Sequence, residues 1–179
     1  QKAFDLRERV PERERYHIEG NLYSLSDKTW DRAIEVYSKL ITLYPGDLLA
    51  RELLTQFDWN MNEWDKVVEQ VEILRRYKWE NVGTYQVLSW CYLAKGEPDR
   101  GLEVLEDYLR TMGDNAFIRA NLAMVYCVLG QLDKAKKEID IAYSQNPDAS
   151  LTFKASYLLC AMDFAALELL CKELETSPN

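Results

Sequence analysis

Four tetrapeptides decide the fold of this chain: WDRA at residues 30–33, WDKV at 64–67, PDRG at 98–101 and LDKA at 132–135. Each has a bulky residue, then Asp, then a basic residue, then a small or β-branched residue. The aspartates stand at positions 31, 65, 99 and 133, so the interval is 34 residues every time. A constant interval of this length indicates an array of repeated supersecondary units.

The residues around each tetrapeptide have the spacing of two helices. Ala33 is followed by Tyr37 after four residues and by Leu40 after three more, which is one face of an α-helix. The other repeats keep these columns. An earlier helix in each repeat has its own face, marked by Leu54, Leu88 and Leu122 and, one turn later, by Tyr92 and Tyr126.

Turn and capping residues fall between these predicted helices. Proline and glycine end a helix, and they occupy the column after the second helix at Pro45, Gly113 and Pro147. Asp and Asn are good N-caps because their side chains accept hydrogen bonds from free backbone N–H groups. Such residues begin the next helix at Asp47, Asn81 and Asn115, while Gly96 and Gly130 mark the turn inside a repeat. A hairpin with one apolar face per helix cannot bury itself, so these hairpins must stack into a solenoid.

These columns resemble the tetratricopeptide repeat family. The first-helix pattern is carried by Leu88, Tyr92, Leu122 and Tyr126, and the second-helix pattern by Ala33, Tyr37, Pro45, Ala135, Ala142 and Pro147. Val67, Trp79, Gly101 and Gly113 depart from it. The first repeat, with Gly20 and Tyr23 in its first helix, has one extra residue between its helices. The fifth has a shorter turn, because Asp163 arrives about four residues early.

The resemblance implies an all-α fold, a right-handed α-α superhelix of about five stacked helix-turn-helix repeats in one domain over residues 1–179. We expect repeats near 13–47, 48–81, 82–115, 116–149 and 150–176, with residues 1–9 as the end of a preceding helix. In the fifth repeat the helices should lie near 150–161 and 163–175.

The N-terminal stretch has a narrower resemblance. LRERVPERERY at residues 6–16, followed by IEG at 18–20, is similar to tetratricopeptide regions of bacterial Ser/Thr protein kinases and winged-helix regulators. This implies a sensing or regulatory region of a larger signalling protein. Because the chain begins with Gln1 rather than Met, we expect it to be a piece of something longer.

Composition and charge argue against several classes of function. The net charge is −8, and the bases near the N-terminus are balanced by acids, so we expect no nucleic-acid partner. No apolar run approaches the roughly 18 residues needed to span a bilayer, so we expect no membrane insertion. No glycine-rich phosphate loop or hydrolase motif is present, and His17 has no plausible catalytic partner. We therefore expect no enzyme and no cofactor.

The four cysteines lack the close pairing typical of zinc sites. Cys91, Cys127 and Cys160 follow the repeat on first helices, which predicts small core residues rather than a metal site. Cys171 is the fourth. Unpaired thiols favour a reducing compartment, which suggests the cytoplasm.

The resemblance also implies a binding surface, because first-helix positions pointing away from the second helix line the concave face in this family. Here those positions are Asn21, Gln56, Trp59, Asn60, Gln86, Trp90, Phe117, Asn121 and Met124. Amides can hold the backbone of an extended peptide, and exposed Trp is a typical hot-spot residue. For Trp59 and Trp90, packing between neighbouring repeats is an equal alternative.

The expected partner is a protein or peptide held on this surface. Lys154 is one of few bases there, and Glu14 and Glu52 have the opposite charge, so a clamp for a terminal carboxylate is disfavoured. A basic or an apolar peptide suits the surface better. The alternative is a structural homo-oligomer formed through the exposed end of the fifth hairpin, at Phe164, Leu167 and Leu170.

Overall fold

The structure, a computed structural model, describes residues 9–176, with side chains through residue 172. These residues form ten α-helices and no β-strand, so the predicted all-α helical repeat is confirmed. The chain divides into two compact units, Gln1–Glu80 (unit 1) and Asn81–Asn179 (unit 2). Their boundary lies within one residue of the boundary predicted between the second and third repeats. The helix end predicted over residues 1–9 falls, apart from Arg9, outside the described residues.

Unit 1 contains two helical hairpins. Its helices are α1 (Glu12–Tyr23), α2 (Trp30–Leu43), α3 (Leu48–Asn60) and α4 (Trp64–Arg76). The connection between α1 and α2 is longer than the three-residue connection between α3 and α4. A short 3-10 turn at Asp27–Thr29 lies within it. One extra residue was expected between these helices, and the connection is three residues longer than that between α3 and α4.

Unit 2 contains three hairpins. Its helices are α5 (Val82–Ala94), α6 (Pro98–Thr111), α7 (Ala116–Val128), α8 (Leu132–Gln145), α9 (Pro147–Cys160) and α10 (Phe164–Thr176). The last pair lies within three residues of the limits expected from the shortened turn. Among residues 9–176 no helix combines the length and apolar character needed to cross a membrane.

The predicted capping residues Asp47, Asn81 and Asn115 each lie at the start of the first helix of a hairpin. Asp47 accepts a hydrogen bond from the Ala50 N–H at 3.0 Å, and Asn81 and Asn115 cap α5 and α7 in the same way. Asn146, which was not among the predicted capping residues, caps α9. Because each side chain satisfies a free N–H at a helix start, these residues set where the helices begin.

Asp47 also connects the two hairpins of unit 1. Its Oδ2 accepts a hydrogen bond from Arg13 Nε at 2.8 Å and pairs with His17 Nε2 at 2.9 Å, and both residues lie on α1. Burial alone would raise the pKa of the Asp47 carboxyl. The hydrogen bonds from Ala50, Arg13 and His17 outweigh burial and hold that pKa below its ordinary value.

The bases of the repeated tetrapeptides lie over aromatic rings at the end of the preceding helix. The cationic group of Arg100 is 4.1 Å from the centre of the Tyr92 ring, and Lys134 is 5.3 Å from Tyr126. Arg32 lies 5.8 Å from Tyr23 in the first hairpin. A cation over a ring face stabilises the contact, so each base ties the two helices of its own hairpin together.

In the second hairpin Asp58 occupies the position that Tyr92 and Tyr126 occupy in the next two hairpins, and Lys66 is the corresponding base. The Asp58 side chain is only 6% exposed. Burial raises the pKa of its carboxyl, the positive charge of Lys66 lowers it, and Glu63 and Glu69 raise it again, with a net rise. A buried carboxylate of this kind destabilises the fold when it is ionised.

Replacing Asp58 with Asn should therefore stabilise the protein near neutral pH. Because its folded-state pKa is raised, the stability that Asp58 contributes is fully present below its unfolded pKa and is lost as pH rises through the folded one. We expect Asp58→Asn to raise the thermal midpoint by a few degrees near neutral pH and to change it little at about pH 3. Thermal unfolding followed by circular dichroism across this range measures the effect.

The matched control is Asp65→Asn, at an exposed acid in the first turn of α4. It should lower the midpoint slightly, since it removes a favourable interaction with the helix dipole. Equal shifts for Asp58→Asn at both pH values would contradict the assignment.

Candidate functional site

The candidate residues of unit 1 lie on α1 and α3. Gln56 and Asn60 are exposed, and exposed Asn21 accepts a 2.9 Å hydrogen bond from the Tyr37 hydroxyl. Trp59 is half-buried and packs edge-on against Trp64 of the same hairpin, with ring centres 5.1 Å apart. Trp59 is thus held by its own hairpin and keeps part of its surface accessible.

Trp90 and Asn121 form a hydrogen-bonded pair between α5 and α7 in unit 2. The Trp90 side chain is 41% exposed, and its indole N–H donates to Asn121 Oδ1 at 2.9 Å. Asn121 is fully buried and donates from Nδ2 to the Phe117 carbonyl at 2.8 Å. Asn121 is therefore not an accessible contact. Its side chain holds the indole of Trp90 in place, and that indole is accessible.

The remaining candidates of unit 2 extend this pair toward α9. Phe117 is half-buried and packs edge-on against Phe153, with ring centres 5.7 Å apart. Gln86 and Met124 are also half-buried. A continuous row of contacts thus runs from Trp90 on α5 through Asn121 and Phe117 on α7 to Phe153 on α9.

The basic residues Arg119 on α7 and Lys154 on α9 both contact residues of α8. Arg119 on α7 donates to Asp114 Oδ1 and to Glu138 Oε2 on α8, both at 2.5 Å. Its hydrogen bond holds the pKa of the Asp114 carboxyl below its ordinary value. Lys154 Nζ lies 3.6 Å from the centre of the Tyr143 ring, which also belongs to α8. Lys154, the base expected on the binding surface, is therefore directed at a second helix.

The cysteines match the core prediction only in part. Cys91 is fully buried, and burial raises the pKa of its thiol to about 11. Cys127 is half-buried, whereas Cys160 and Cys171 are exposed, so the core prediction is wrong for Cys160. It sits at the end of α9, in the hairpin whose register differs from the others. Within the described residues no group of three His, Cys, Asp or Glu side chains is arranged to hold a metal ion.

Phe153 was absent from the predicted surface. The cause is the shift of the fifth repeat, which breaks the column from which such positions are counted. The surface as a whole did have a signal in the sequence, because the helix over residues 82–94, which carries Gln86 and Trp90, contains no charged side chain.

Comparison with known proteins gives one family and several related folds. Residues 80–155 match the tetratricopeptide repeat family. No match to the chain was found among curated proteins. The crystal structure of the MamA protein is similar, with a TM-score of 0.67 and 15% sequence identity over 91% of this chain and 88% of that one.

Two further crystal structures have the same fold. YrrB, described as a TPR protein with an unusual peptide-binding site, has a TM-score of 0.63 and 18% identity over 98% of this chain and 97% of its own. TTC0263, a thermophilic TPR protein of Thermus thermophilus, has a TM-score of 0.55 and 21% identity over 90% of this chain and 98% of its own. At these identities the likeness is one of fold.

The Trp90–Asn121 hydrogen bond should be measurable as an energetic coupling. Trp90→Phe removes the N–H and leaves the buried Asn121 oxygen without this donor, which should cost about 1 kcal/mol of unfolding free energy. Asn121→Ala removes the acceptor and leaves a small cavity, which should cost about 2 kcal/mol. In a double-mutant cycle followed by urea unfolding, we expect a coupling of about 1 kcal/mol. If the changes in unfolding free energy of the two single variants simply add in the double variant, the hydrogen bond does not contribute to stability.

Proposed function

We propose that this chain, a member of the tetratricopeptide repeat family, is a non-catalytic scaffold that holds a partner protein or an extended peptide against the first helices of its hairpins. The observation that carries this proposal is Trp90: a large aromatic side chain, 41% exposed, whose indole is held in place by a buried amide. An aromatic anchor fixed before binding loses little conformational freedom when a partner covers it.

The other predicted residues offer binding groups within each unit, taken separately. In unit 1, Gln56 and Asn60 offer exposed amides beside the half-buried Trp59, and Asn21 lies on α1. In unit 2, Gln86, Phe117 and Met124 keep part of their surface accessible, and Asn121 acts by positioning Trp90. Mixed amide and aromatic surfaces can bind both the backbone and the side chains of a peptide.

We place this scaffold in the cytoplasm as a regulatory region of a larger signalling protein. The support is the N-terminal resemblance to kinase-associated and winged-helix regulators, together with the four free thiols. In such a protein the catalytic or DNA-binding part would be a separate region, and this one would select the partner.

A homo-oligomer is the second candidate, and exposed apolar residues at the end of unit 2 favour it. Met162, Phe164 and Leu169 are 73%, 59% and 59% exposed. Of the three residues predicted to form this contact, Phe164 is exposed, Leu167 is half-buried, and Leu170 is buried in the core of unit 2. The prediction that Leu170 forms part of this contact surface is therefore wrong.

Affinity capture with matched variants tests the scaffold proposal. The immobilised chain, Trp90→Ala and Glu103→Ala are each exposed to a lysate of the source organism, and the bound proteins are identified by mass spectrometry. Glu103 is the control, because it is exposed on α6, a second helix of unit 2. We expect a protein that the wild type and Glu103→Ala retain and that Trp90→Ala loses, with all three chains equally helical.

Sedimentation of the wild-type chain at low micromolar concentration accompanies this experiment. A monomer is the expected result. A stable dimer that Phe164→Ser dissociates, together with captured proteins indifferent to Trp90, would favour the oligomer instead.

A further inference from the structure

Charged side chains are distributed unevenly between the helices of unit 2. The second helices α6 and α8 carry six charged residues each. Among the first helices, α5 carries none and α7 carries Arg119 alone, while α9 carries Asp148 and Lys154. A solvent-exposed helix ordinarily has charged residues on the face away from the core, so their scarcity on three successive helices is unusual.

The three charged residues on these helices do not face a common surface. Arg119 bridges Asp114 and Glu138, and Lys154 lies over Tyr143, so both are directed at or toward α8. Asp148 lies in the first turn of α9, where an acid complements the helix dipole. Apart from the exposed Asp148, the side chains that these three helices leave to face a partner are uncharged.

We define the uncharged face as Gln86, Trp90, Phe117, Met124 and Phe153. Trp90, Phe117 and Phe153 are linked through the Trp90–Asn121 hydrogen bond, the Asn121–Phe117 carbonyl hydrogen bond and the Phe117–Phe153 ring contact. Gln86 and Met124 are half-buried on α5 and α7. The three aromatic side chains of this face are thus held in fixed relation within unit 2.

The first helices of unit 1 are more highly charged. Helix α1 carries five acidic and basic residues, Glu12, Arg13, Glu14, Arg15 and Glu19, and α3 carries Arg51, Glu52 and Asp58. The lack of charge is therefore a property of the first helices of unit 2 and does not follow from the repeat itself.

We infer that the segment covering the uncharged face is itself uncharged and rich in aromatic or aliphatic side chains. The inference rests on the proposed function and names its partner more closely. A charged group placed against this face would lose its hydration without gaining an opposite charge. Its desolvation free energy would then exceed the favourable free energy of the contact. An apolar segment loses nothing of this kind and gains by removing Trp90, Phe117 and Met124 from water. Of the basic and apolar peptides that the sequence allowed, the charge distribution favours the apolar one.

An array of synthetic peptides, each of about 12 residues and random composition, tests this inference on the full chain. We expect the bound peptides to be depleted in Lys, Arg, Asp and Glu and enriched in Leu, Ile, Phe and Trp. For the tightest of them, affinity should change by less than about twofold between about 50 mM and about 500 mM salt. A Lys or Glu placed at the peptide centre should weaken binding by about tenfold or more.

Two variants separate this inference from the proposed function. Trp90→Ala should weaken binding by about tenfold, and Glu103→Ala should leave it unchanged. If Trp90→Ala weakens binding but the bound peptides are charged and lose affinity in salt, the inference is overturned and the scaffold stands. If no peptide binds, or if binding ignores Trp90, both are overturned.

Discussion

The close approach of the two helices in each hairpin is the constraint on which the rest of the structure depends. A second helix can pack against a first only where a small or compact side chain lies near its start, and Ala33, Val67 and Ala135 are completely buried there. Gly101 takes this position in the third hairpin. A Cβ added to Gly101 would lie 2.8 Å from Leu93 Cδ1 on α5. Such packing tolerates little extra volume.

Other repeated residues serve the same hairpin. The capping residues begin the first helices, and the bases at positions 32, 100 and 134 cross from second helix to first to contact a tyrosine ring. Residues used in this way are engaged inside the scaffold and cannot select a partner. We propose that the partner is selected by first-helix positions outside these repeated columns, such as Gln86, Trp90 and Phe117 in unit 2, which are uncharged.

Much of this scaffold could be predicted from the sequence because it depends on local rules. Capping by Asp47, Asn81 and Asn115 and helix ends two residues before Pro45, Gly113 and Pro147 need only short-range chemistry. The site was less predictable, because its contacts join residues about 30 positions apart. Whether Asn121 is exposed or buried depends on where the Trp90 indole packs, and no spacing rule gives this. Phe153 was missed for a different reason, the changed register of the fifth hairpin.

We propose that a partner is held on the uncharged face of unit 2, and chemical-shift mapping would show where it binds. The ¹⁵N-labelled full chain would be titrated with the tightest-binding peptide of the array. We expect chemical-shift changes in the backbone amides of α5, α7 and α9, with the Trp90 indole N–H among the largest. Shifts concentrated on α6 and α8, with the Trp90 indole unchanged, would contradict this proposal.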